Sequence, residues 1–156
     1  MTISMYEASI PQFKKMLTNL SAILKKAESH IAHKKVDEKV MLGSRLFLDM
    51  FALTKQIQIA SDQAKNGLAR LAGVDAPKMD DQEASFAELQ IRIARTIDFL
   101  DTLKPEQLDS SAEKEIKFSI GERKFEFIGN KYLVTWIIPN FYFHIRSRPG
   151  PTRRNP

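Results

Sequence analysis

The chain has 156 residues and no cysteine, which leaves room for one domain with its own core but excludes a disulfide scaffold, a thiolate metal site and a cysteine nucleophile. Its 43% hydrophobic and 28% charged content is ordinary for a globular protein and excludes global disorder. The net charge of +5 does not make it a nucleic-acid binder, because Arg146, Arg148, Arg153 and Arg154 lie in the last eleven residues, where no acid offsets them, and the body is nearly neutral.

Met1 to Glu7 has neither the basic start nor the apolar run of a signal peptide. With no cysteine to oxidise, a reducing, cytoplasmic location is expected. From Ile10, apolar residues recur at Phe13, Leu17, Leu20, Leu24, Ala27 and Ile31, steps of three and four that predict one helical stripe. Pro11 is expected in the first turn, where its missing N–H costs nothing. Gly43-Ser44 reads as a break, with Ser44 as the N-cap of a second helix from Arg45. Its stripe is Leu46, Met50, Leu53, Ile57, Ala60, Ala64 and Leu71, with Gly67 placed to let a neighbouring helix approach. Gly73 and Pro77 end it.

A third helix opens at Ser85-Phe86-Ala87-Glu88, a capping-box pattern, and runs through Leu89, Ile93, Ile97, Leu100 and Leu103 to Lys104-Pro105. The period then changes to two. Glu115 to Ile120 and Arg123 to Ile128 alternate around Gly121-Glu122, the chemistry of a type II′ hairpin pairing Ile120 with Arg123, Phe118 with Phe125 and Ile116 with Phe127. An isolated hairpin is marginal, so it is expected to lie on the helices. Asn130 then caps a fourth helix to about Ile145, with Pro139 kinking or restarting it. Its apolar run, Tyr132 to Pro139, is far short of the ~20 residues that span a bilayer. The prediction is a mainly α, up-down four-helix bundle with a small β-hairpin before the last helix. One domain covers residues 1–145, and a basic Pro/Arg-rich tail, 146–156, is expected to be disordered. No specific nucleic acid and no membrane are expected as partners.

Candidate site residues are few. Asn140 and His144, spaced i, i+4, share a face of the fourth helix with Leu133, Trp136 and Ile137. Asp49, Gln56 and Gln63 repeat every seven residues beside the second stripe, and bundles build ligand and metal sites from such inward groups. The bland alternatives stay open: a lone histidine on an apolar face is commonly a hydrogen-bonded structural residue, and a heptad of polar groups is commonly a boundary. Trp136, Phe141, Tyr142 and Phe143 read as core and hairpin support. His30 and His33 sit among lysines with no catalytic case. Phosphate loops, nucleophile elbows and His-Glu-x-x-His are absent from the sequence.

Met5-Tyr6-Glu7-Ala8-Ser9-Ile10-Pro11, Leu48-Asp49-Met50-Phe51-Ala52-Leu53 with Gln56-Ile57-Gln58, Ala69-Arg70-Leu71-Ala72-Gly73-Val74 and Pro139-Asn140-Phe141-Tyr142-Phe143-His144 together resemble the bacterial domain of unknown function 1993 family, within the DinB/YfiT-like superfamily. The resemblance, over roughly Met5 to Ile145, implies a four-helix bundle that is often a homodimer. It also implies relatives that are metal-dependent transferases, hydrolases or isomerases, with one histidine on the second helix and a His-x-x-x-His pair on the fourth. Here His144 matches the later position, Asn140 stands at the earlier one, and Asp49 is the nearest substitute on the second helix. The tail departs as well: Arg146-Ser147-Arg148-Pro149-Gly150-Pro151 replaces a helix that continues in the family. Three readings follow: a non-catalytic bundle binding a small ligand near Asp49, Gln56, Trp136, Asn140 and His144; a transferase or hydrolase holding a divalent metal, zinc or nickel, on Asp49 and His144; and a structural homodimer.

Overall fold

The computed structural model describes residues 3–147. The first helix, α1 (Met5–Lys34), starts five residues earlier than its apolar stripe, because Ser4 and Glu7 form a reciprocal capping box at its mouth. Pro11 therefore lies inside the helix, on an exposed position, and not in its first turn. The stripe itself is as expected: Ile10, Phe13, Leu17, Leu20, Leu24, Ala27 and Ile31 are all buried.

A short helix, α2 (Glu38–Leu42), follows, capped by the Asp37 carboxylate. The next long helix, α3 (Leu53–Ala72), begins eight residues later than the stripe from Arg45 predicts. The Leu53 N–H donates to the Ser44 carbonyl at 2.9 Å and closes residues 44–52 into a turn. Leu46 is thereby exposed and Met50 half-buried, whereas Leu53, Ile57, Ala60, Ala64 and Leu71 are buried as expected. Ala52, and not Ser44, is the N-cap.

Helix α4 (Phe86–Thr102) is capped by Ser85, whose Oγ accepts from the Glu88 N–H. The Glu88 carboxylate reaches past Ser85 to the Ala84 N–H, so the box is only half made. A one-turn helix, α5 (Pro105–Asp109), leads to the antiparallel hairpin β1 (Glu115–Ile120) and β2 (Arg123–Ile128). Its register pairs Ile120 with Arg123, Phe118 with Phe125 and Ile116 with Phe127, as expected. Gly121 has φ of +58° and Glu122 does not share it, the II′ pattern that only glycine accepts cheaply at the first position.

The last helical run is continuous but not uniform: α6 (Gly129–Lys131), a π-helical stretch (Tyr132–Ile137) and α7 (Ile138–Arg146). Four of its buried residues, Leu133, Ile137, Phe141 and Ile145, step by four each time, and Tyr132 is buried beside the first of them. In a pure α-helix each such step drifts about 40° round the axis; the wider π turn removes part of that drift. It also loosens the turn that faces the Pro139 ring, which would otherwise meet a carbonyl one turn back.

The long helices α1, α3, α4 and the last run form the four-helix bundle, and the hairpin lies on it through rings. Phe118 packs against Tyr132 and Trp136, and Phe125 lies 4.8 Å from Trp136. Arg70 of α3 covers the Phe118 face and donates to the Tyr132 hydroxyl at 3.1 Å. Within the bundle, Phe13 stacks on Phe141 at 4.1 Å, both fully buried; each such side chain contributes roughly 1.5–3 kcal/mol. Among the described residues no helix is long and apolar enough to cross a membrane. Arg146 belongs to α7 and Ser147 is its C-cap, so those two expected tail residues end the helix; the rest of that tail lies outside the described residues.

Candidate functional site

The last helical run and α3 lie side by side and antiparallel. At one end a Cβ on Gly67 would sit 2.9 Å from the Ile137 side chain, so only glycine admits this approach. At the other end His144 meets Gln56. The imidazole Nδ1 lies 2.7 Å from the Gln56 Oε1, and the Gln56 Nε2 donates to the Phe51 carbonyl at 3.2 Å. The second bond fixes which way the amide points. Its oxygen faces the ring, so Nδ1 carries the proton and donates, and Nε2 is left with a lone pair. Among the described residues Nε2 has no hydrogen-bond partner. Burial lowers the His144 pKa below its ordinary value, so the ring is neutral at pH 7.

Of the five site residues expected from sequence, the structure joins side chain to side chain only Gln56 and His144. Gln56 is buried on α3, and His144 is half-buried on α7. Asp49 is exposed in the 44–52 turn, outside the helix that was to present it. Trp136 turns to the hairpin and packs on Phe118, Phe125 and Phe127. Asn140 donates its amide to the Trp136 carbonyl at 2.7 Å, a bond within its own helix. Phe143, expected as core, is 57% exposed and sets its ring edge-on to His144. Zinc or nickel needs several donors converging on one point. Among the described residues no group of three His, Cys, Asp or Glu could hold an ion, so these residues do not fit the implied metal centre.

Sequence reasoning missed the other polar centre, which lies between α3 and α4. Arg92 is buried on α4, and its guanidinium meets the carboxylates of Asp62 at 2.8 Å, Asp81 at 2.9 Å and Glu83 at 2.8 Å. Lys55 pairs with Asp81 and Lys65 with Asp62, and Gln58 donates to Glu83. Three cations and three anions balance. Burial would raise the carboxyls of Asp81 and Glu83. Bonds and charge from Lys55 and Arg92, and for Glu83 from Arg92 and Gln58, outweigh it and hold both below the ordinary range. A signal was available: Arg92 and Thr96 occupy inward positions three residues on from Leu89 and Ile93. The centre ties the segment before α4 to two helices, with its charges spent on one another.

A model of the family described as domain of unknown function (DUF1993) matches residues 5–148. Among solved structures, the crystal structure of a DinB family member protein from Shewanella denitrificans is similar at 41% identity, covering 91% of this chain and 80% of that one with a TM-score of 0.81. No curated protein matches.

Proposed function

This chain belongs to the DUF1993 family, and on that footing we propose that it is a small-ligand-binding homodimer without catalysis of its own, His144 being the group that meets the ligand. The observation that carries the reading is the relay from the Phe51 carbonyl through Gln56 to Nδ1 of His144. It holds a neutral imidazole in one tautomer and presents Nε2 as an acceptor. The ligand it suits is a small molecule offering an N–H or O–H. A cytoplasmic location goes with this reading, supported by the cysteine-free sequence.

The metal-dependent alternative, with Asp49 and His144 as ligands, lacks support from the donor set among the described residues. The test is paired. Nitrogen NMR of the protein is expected to show His144 protonated at Nδ1. Small N–H and O–H donors, screened by the same resonance, are expected to perturb it in the native chain and to bind no longer in His144→Phe. Elemental analysis is run beside it: stoichiometric zinc or nickel that vanishes in His144→Ala would overturn the proposal in favour of a metalloprotein.

A further inference from the structure

We infer that the second copy binds through the 44–52 turn, which acts as a knob beside its own matching recess; this rests on the homodimer reading above and names its surface. Within six consecutive residues, Leu46 is 55% exposed, Phe47 67%, Leu48 89% and Phe51 53%. Single exposed apolar residues are ordinary, but a cluster of this size marks an interaction surface.

The turn holds these side chains out on an ordered backbone. The Leu53 N–H to Ser44 carbonyl bond closes its base, the Met50 N–H donates to the Phe47 carbonyl at 3.1 Å, and the Arg45 guanidinium donates to the Met50 carbonyl at 3.0 Å. A knob braced in this way loses little conformational freedom on docking.

Next to it lies a recess of about 350 Å³ lined by Lys39, Leu42, Gly43, Ala52, Thr54 and Ala84. Gly43 precedes the turn and Ala52 ends it, so knob and recess share one surface. That adjacency decides the occupant. A two-fold interface must be self-complementary, each copy offering what the other accepts, and a mostly apolar knob beside a mostly apolar recess meets the condition. The charges agree: Asp49 rides on the knob and Lys39 lies on the recess lining, so the two-fold sets Asp49 of each copy toward Lys39 of the other. The four exposed apolar side chains present on the order of 500 Å², more than half of the ~800 Å² per partner that a stable interface buries. The turn also carries the Phe51 carbonyl that orients Gln56, so this face abuts the His144 relay.

Sedimentation velocity on the full chain, up to tens of micromolar, tests the inference, with circular dichroism confirming that each variant is folded. The native chain is expected to dimerise, and Leu48→Asp to weaken the dimer at least about tenfold. Lys39→Glu and Asp49→Lys are each expected to weaken it, and the two together to restore it. A native dimer indifferent to Leu48→Asp would remove this surface and leave the homodimer standing. A dimer lost in Leu48→Asp but not restored by the charge exchange would overturn the knob-in-recess pairing. A native chain that stays monomeric sinks both readings. If that monomer cosediments with anionic phospholipid vesicles through Leu48, the face belongs to a lipid surface instead.

Discussion

Helix α3 has a polar group against it from each neighbour. From α4 comes Arg92, buried and held by three carboxylates, two of which are answered by lysines. From α7 comes His144, half-buried, bonded on one nitrogen to a fixed amide. The first network balances its charges within itself, although the buried Arg92 Nε has no hydrogen-bond partner among the described residues, and what it does is hold chain segments together. The second ends in a ring nitrogen that nothing among the described residues engages. Polarity inside a bundle is therefore a poor guide to function on its own; whether the network terminates in its own partners is the better one.

The comparison breaks most readily at Arg92. Arg92→Met should cost about 3 kcal/mol, near the lower end for breaking a buried ion pair because Asp62 and Asp81 keep a third of their exposure. Chemical denaturation would measure it, and His144 resonances should stay in place. A loss under about 1 kcal/mol would mean that the charge network contributes little. Acid probes the same centre. Asp81 and Glu83 have folded pKa values below their ordinary 3.8 and 4.5. Their stabilisation is thus complete above those values and lost as pH falls through the lower, folded ones. Melting temperatures are expected to drop steeply below pH 4.5, and Arg92→Met to flatten that dependence.

Gly67→Ala comes next in size. Its Cβ would meet Ile137, and a forced contact of this kind costs about 1–3 kcal/mol. Because Ile137 and His144 are on one helical run, the His144–Gln56 bond should loosen too, read as a shifted Nδ1 resonance. Gln56→Leu follows, about 1–2 kcal/mol for the two neutral hydrogen bonds lost, to His144 and to the Phe51 carbonyl, but it should release the imidazole into a mixture of tautomers. An unchanged Nδ1–H signal would show that Gln56 does not orient the ring.

The smallest effect is the His144 titration itself. Its folded pKa is lowered, so the unfolded chain takes up its proton first as pH falls. Stability should decline slightly below about pH 6.5 and level off beneath the folded value. His144→Phe, which cannot titrate, should remove that shallow step and leave the acid transition of the Arg92 centre untouched.

Much of this molecule was legible along the chain. The stripe of α1 is buried residue for residue, the hairpin register follows from Gly121-Glu122, and the small residue at Gly67 marks where two helices touch. These are local facts: a period of 3.6 or 2 and a turn of fixed length leave few arrangements for the side chains. The site was half legible. His144 and Gln56 sit beside their stripes in the sequence, but Asp49 was misplaced, because Leu46, Met50 and Leu53 keep helical spacing through a stretch that is a turn. Spacing alone does not tell apolar residues that face a core from those that face outward.

By itself, then, the sequence determined a bundle of four long helices with a flap, since each element's apolar period needs only its own residues. Which polar groups met was decided by the tertiary structure. The Arg92 centre draws on α3, α4 and the segment between them, and the His144 relay spans residues 51 to 144. Such pairings depend on the angle and depth at which helices pack, and on a π turn that resets one helix face, and these emerge only when the whole core closes.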